Sequence, residues 1–406
     1  AYASVPSGAS KGKHEAHEIR DLGKRYSGQG VKKSIENINN EIKNRLIDKD
    51  LDNQNFIDNS MIRLDGTYHK TKLGANSMLA VSLAYARLSA ISRGMPLYKY
   101  VAEISGNKDL ILPIPFMNVI NGGMHASNSL AFQEYMIVPS ANNFSESLRV
   151  GTETYHELKN IIIKKYGKQY SNVGDEGGFA PNLKYVKEPL DLITKAIENL
   201  GYNKNIKIAL DVASSSFYNN KNNSYKVDNK YLDVERLIEL YESLINNYDI
   251  ISIEDPFEQS KFHDFRKFTS RNKDFNVVGD DLTVTNIERI KKAILLKSCN
   301  VLLLKPNQIG TLTESINAAK LAKKHKWNVI VSHRSGETED SFIADLAVGL
   351  GVGHIKSGAP CRSERLSKYN QLLRIEDELG NKAKFQKKLF SSNRNKNFIE
   401  KFLYKT

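Results

Sequence analysis

Cysteine is nearly absent from this 406-residue chain: Cys299 and Cys361 stand alone and far apart. Neither a CxxC redox pair nor a zinc site of the usual spacing can be built from them, so both read as inert thiols. Long apolar runs are missing too. None approaches the roughly 20 residues that span a bilayer, and the amino terminus lacks a basic-then-apolar signal pattern. A cytoplasmic protein without membrane insertion is expected. With 40% hydrophobic and 26% charged residues, the chain can form a large barrel or two domains sharing an interface.

The net charge of +13 is unevenly spread. Residues 381–406 carry eight Lys/Arg against the single Glu400, a net of +7 within that total. The favoured reading is a Lys/Asn-rich, solvated terminal helix. Its rival is an RNA-binding or surface-binding arm, in which Phe385, Phe390, Phe398 and Phe402 stack on bases.

The first hundred residues read mostly as helix. Val31, Ile35, Ile38, Ile42 and Leu46 recur at helical spacing, as do Ala75, Met78, Leu79, Leu83 and Ala86 in an Ala/Ser-rich stretch that lets a neighbour approach closely. Gly94, Pro96 and Ser105–Lys108 punctuate the end of this region, and a Pro-rich strand over 112–118 opens the next. Two domains are predicted, an α+β unit over 1–108 and a β/α barrel over 109–406.

From about residue 206 the pattern changes to short apolar runs, each ending in a polar group and followed by helical periodicity. Such alternation is the signature of a parallel sheet. The runs end at Asp211, Glu254, Asp280, Lys305, Ser332-His333-Arg334 and Lys356. After Glu254 the ends are 26, 25, 28 and 23 positions apart, one strand-loop-helix unit each time. In a β/α barrel the carboxyl ends of the strands converge on one open face, where active sites lie. A charged residue at one strand end is usually only solvated. Six in register point to a site.

Asp211, Glu254 and Asp280 supply oxygen donors alone, which suits a hard cation such as Mg²⁺. Strand alternation sends the adjoining Asp255 and Asp281 to the other face. A lysine beside a divalent cation is biased towards its neutral form, and Lys305 is the candidate base. Such a base becomes useful where a metal stabilises the oxyanion that forms as a proton leaves the carbon beside a carboxylate. Arg334, Ser335 and Lys356 suit a phosphate and a carboxylate, so a small polyanion is expected. The Ser/Gly-rich segment 5–12 reads as a lid, while 121–125 and 174–178 place His125 and Glu176 in glycine-lined turns.

Taken together, Ser7-Gly8-Ala9-Ser10, Asn121-Gly122-Gly123, Gly174-Asp175-Glu176-Gly177-Gly178, Ser252-Ile253-Glu254-Asp255-Pro256-Phe257, Asp280–Thr285, Lys305–Gly310, Ser332–Thr338 and Gly358-Ala359-Pro360 resemble the enolases, in enolase order. The resemblance implies dehydration of 2-phosphoglycerate to phosphoenolpyruvate with two Mg²⁺ during turnover. It implies that Asp211, Glu254 and Asp280 hold the first metal and Ser10 joins the second. Lys305 would take the C2 proton, Glu176 with Glu134 would help the C3 hydroxyl leave, and Lys356 would stabilise the enolate. Arg334 and Ser335 would bind phosphate, with His125, Gln133 and His333 lining the substrate. The family is usually homodimeric. It also carries, ahead of the Ser-Gly-Ala-Ser loop, a β-hairpin whose arginine pairs with the glutamate of Arg362-Ser363-Glu364-Arg365 across the dimer. About three strands' worth of that sequence is expected to be absent from this chain. Within the wider superfamily, racemases and cycloisomerases use a Lys-x-Lys base at an early strand; none stands at a strand end here, Lys11-Gly12-Lys13 lying in the lid segment and Lys382-Ala383-Lys384 in the tail.

Overall fold

The computed structural model describes residues 1–9, 11–47, 53–386 and 388–390. Eight strands close into a barrel: β1 (Ile114–Asn121), β2 (Glu134–Pro139), β3 (Ile206–Asp211), β4 (Ile250–Glu254), β5 (Asn276–Gly279), β6 (Val301–Leu304), β7 (Asn328–Ser332) and β8 (His354–Lys356). They follow chain order around the ring. β2 is antiparallel to both β1 and β3, and the other neighbours, including β8 and β1, are parallel. The six runs expected from 206 onward all form strands. β2 was not anticipated: all six of its residues are buried, so it lacks the apolar-in, polar-out alternation that marks a half-exposed strand.

Helices surround the barrel, and the starts of several are written locally. Asp233 caps Val234–Asn247 through the amide of Arg236, and Asn286 caps Ile287–Leu296 through those of Glu288 and Arg289. Thr311 accepts from the amide of Glu314 and donates its hydroxyl to the Glu314 carboxylate, tying off Leu312–Lys324. Each such cap is worth about 1 kcal/mol.

Before residue 109 the regular elements among the described residues are helical. The helix Ala75–Ser92 buries Ala75, Met78, Leu79, Leu83 and Ala86, as its spacing predicts. The earlier helical run over 32–46 departs from its pattern. Ile42 and Leu46 are buried, but Val31 and Ile35 are exposed and Ser34 faces inward. A π-helical turn at Ile38–Ile42 explains the change, because its wider turn rotates the apolar face part-way along. Ile42, Leu46, Ile57, Met61, Leu73 and Met78 form a small core of their own. The helical unit meets the barrel through apolar packing, with Leu79, Leu83, Ala86 and Val101 part of the barrel's own core, and through polar ties: Lys70 with Glu314 at 2.6 Å, and the amides of Leu312 and Thr313 with Ser82 and Asp58.

The end of the described chain is not a solvated helix. Lys384–Phe385 pairs in parallel with Ile111–Leu112, and Phe385 and Phe390 are buried. The Phe390 ring lies 4.4 Å from that of His354 and 5.6 Å from that of Phe116. These two phenylalanines are therefore unavailable for stacking on bases. Phe398 and Phe402 lie outside the described residues. No helix among the described residues is long and apolar enough to cross a membrane.

Candidate active site

At the carboxyl ends of the strands lies a small cavity. Its lining brings together His125, Gln133, Glu134, Glu176, Lys305, Ser332, His333, Arg334, Ser335 and Lys356. Residues from six places in the sequence thus share one small space. The ring order sets their relation: Glu134 opens β2 and Lys305 follows β6, four strands apart in a ring of eight, so they face each other across the barrel.

Lys356, at the end of β8, is fully buried and lies 3.0 Å from Glu134 Oε2, 3.0 Å from Asp211 Oδ2 and 2.8 Å from Glu254 Oε2. Burial alone lowers an ammonium pKa, but the three carboxylates outweigh it and hold Lys356 charged. Lys305 behaves in the same way. Its burial is outweighed by Asp280, 2.5 Å away, which raises its pKa above the ordinary lysine value. The second Asp280 oxygen accepts from Gln308 Nε2 at 2.8 Å.

The expected carboxylate trio is arranged around these two lysines: Asp211 and Glu254 share Lys356, while Asp280 holds Lys305. Ligand atoms already within 4.8 Å of one another belong to two other groups, Asp255 with Asp280 and Asp281, and His125 with Glu134 and Glu176. Asp255 has a local task, since its two oxygens accept the amides of Asp280 and Asp281 at 3.1 and 2.6 Å. Burial and the charges of Asp280 and Glu15 push the Asp281 carboxyl up to about 7.

The charge and donor set fit a divalent cation. Asp211, Glu254 and Asp280 are buried carboxylates on three adjacent strands. Burial and the neighbouring Asp211 charge push the Glu254 carboxyl well up, so negative charge is crowded there. All three offer hard oxygen donors.

Across the cavity, His125 Nδ1 lies 3.6 Å from an oxygen of Glu134 and 3.6 Å from one of Glu176. Burial, then the charge of Glu176, lifts the Glu134 carboxyl well above its ordinary value. Glu176 also accepts from Asn118 Nδ2 at 3.1 Å and faces His333 Nε2 at 3.3 Å. Both nitrogens of the buried His125 and Oε1 of the buried Gln133 lack a hydrogen-bond partner within the protein. An unsatisfied buried polar atom costs about 1–3 kcal/mol, so such a cluster suits a polar ligand.

Arg334 forms an ion pair with Glu15 at 2.9 Å and also donates to Asn307 Oδ1. The segment before residue 10 lies directly on this loop: Ser7 and Gly336 exchange backbone hydrogen bonds at 2.9 and 2.8 Å, and the Ala9 amide donates to Ser335 Oγ at 2.7 Å. Ser10 lies outside the described residues. Asn118, Glu15, Gln308 and Arg365 were not expected here. Asn118 closes the expected strand over 112–118 and Gln308 stands within the Lys305–Gly310 motif, whereas Glu15 and Arg365 carry no strand-end or glycine-turn signal, so only the fold brings those two to the site.

A family model described as the enolase C-terminal TIM barrel domain matches residues 109–394, and one described as the enolase N-terminal domain matches residues 1–101.

Proposed function

The chain belongs to the enolase family, and from that premise we propose that it reversibly dehydrates 2-phosphoglycerate to phosphoenolpyruvate with Mg²⁺, as a cytoplasmic enzyme of glycolysis and gluconeogenesis. The observation that carries the reading is the two-sided cavity, with Lys305 on one side and His125, Glu134 and Glu176 on the other. A base and an acid facing each other suit an anti elimination, in which the C2 proton leaves towards one wall and the C3 hydroxyl towards the other.

In this reading Lys305, released from its ion pair when Asp280 engages a cation and so favoured in its neutral form, removes the C2 proton. The carboxyls of Glu134 and Glu176 hold a proton between them and deliver it to the departing hydroxyl. Lys356 lies against the developing enolate, Arg334 and Ser335 take the phosphate, and His125, Gln133 and His333 shape the rest of the cavity. Asp211, Glu254 and Asp280 are the ligands for Mg²⁺, with Ser10 for a second ion, and the bound cations supply positive charge to the substrate carboxylate as negative charge develops on it. The residues after 108 form the catalytic domain and those before it cover its open face. A homodimer is part of the same reading.

The test is conversion of 2-phosphoglycerate, followed by the ultraviolet absorbance of the product, with and without Mg²⁺. A chelator should abolish turnover and added Mg²⁺ restore it. Lys305→Ala should abolish exchange of the C2 proton with solvent, whereas Glu176→Gln should spare exchange more than turnover. Wild-type exchange in Lys305→Ala would overturn the base assignment.

A further inference from the structure

Arg365 is the largest fully buried side chain among the described residues. It lies on the helix Ser363–Leu379. Its Nη1 lies 2.6 Å from His333 Nδ1 and donates to the Arg334 carbonyl. Nη2 donates to the carbonyls of Ser335 at 2.6 Å and Asp175 at 2.9 Å. The stem is confined as well, because a Cβ on Gly358 would fall 2.9 Å from Arg365 Cδ.

A guanidinium is a donor only. A nitrogen 2.6 Å from it must therefore present a lone pair, so the single proton of a neutral His333 sits on Nε2, the ring nitrogen on the Glu176 side, 3.3 Å from Glu176 Oε2. We propose that Arg365 is a positioning residue that locks His333 as the neutral Nε2–H tautomer, and that it ties the loop of Glu176 to the loop of Arg334 and Ser335 at a set spacing. The charged groups facing His333 are Glu176 from its loop, Arg365 from its helix and Lys356 from β8. Burial holds the His333 pKa down at about 3, in keeping with a ring that does not take a second proton.

The proposal rests on the enolase reading only for its effect on turnover; the tautomer is tested on the resting, Mg²⁺-supplemented full chain. In ¹⁵N-histidine-labelled protein, with His333 assigned by its loss in His333→Gln, Nδ1 should show an unprotonated shift and Nε2 a protonated one, unchanged from pH 8 to pH 5. Arg365→Met should give mixed tautomers and move the His333 pKa upward, because the Arg365 charge is one of the groups that lowers it, while burial still holds the ring below the ordinary value. Turnover should fall about 100-fold, the scale on which misplacement of a reacting group by about 1 Å acts. Arg365→Lys keeps one donor and should restore the tautomer while regaining only part of the rate. A wild-type His333 protonated on Nδ1 overturns the proposal without any variant, as does a folded Arg365→Met with the wild-type tautomer. Should the tautomer hold and no dehydration be found, the enolase reading fails and the lock stands.

Discussion

At the residue scale, buried charge is tolerated only where it is answered. Lys356 meets three carboxylates and Lys305 meets Asp280. Asp345, on the helix Phe342–Leu350, is answered less well: Gln371 Nε2 at 3.3 Å is a weak donor, and burial pushes its carboxyl up to about 7. Its folded pKa thus stands above the ordinary 3.8, and between those values the native state holds a proton that the unfolded chain does not. Stability should therefore fall as pH rises from about 4 to about 7 and level off above. Asp345→Asn should remove that slope and gain most at pH 8, as melting temperatures at pH 5 and pH 8 would show. A wild-type slope persisting in the variant would place the titration elsewhere. Strand-end polar groups such as Asp211 and Lys356 were legible in the sequence because the end of an apolar run marks them. Arg365 was not, because an arginine inside a helix looks the same whether it faces solvent or locks a histidine.

At the element scale, the segment before residue 10 and the loop after β7 act as one unit, joined by the Ser7–Gly336 pair and by Ala9 on Ser335. A Cβ at Gly336 would stand 2.6 Å from the Ser7 carbonyl oxygen, and backbone cannot yield there as a flexible side chain would. Gly336→Ala should loosen the segment, lower kcat/KM for 2-phosphoglycerate about tenfold and speed proteolysis ahead of residue 10. Unchanged proteolysis and kinetics would mean that the segment does not rest on this loop in solution. The elements themselves were mostly foreseeable. The apolar runs after 206 became strands, whereas the π-turn at Ile38–Ile42 and the antiparallel β2 escaped, since neither is set by local periodicity.

At the scale of the whole molecule, the barrel is closed at one end by chemistry and at the other by the chain's own late residues. Phe390 packs on His354 and Phe116, so Phe390→Ala should cost about 3 kcal/mol and lower the melting temperature by several degrees while leaving KM near wild type. A melting temperature equal to wild type would show that this ring does not seal the core. Read alone, the sequence determined the class of the barrel, the register of its strand ends and the kind of metal they suit, because each depends on spacing and residue type along a short stretch. Tertiary structure alone decided which lysine answers which carboxylate, that Glu134 and Lys305 face each other across the ring, and that Arg365 reaches His333. Those relations depend on closing a sheet whose first and last strands are more than 200 residues apart, and distances set by ring closure leave no trace in the order of residues.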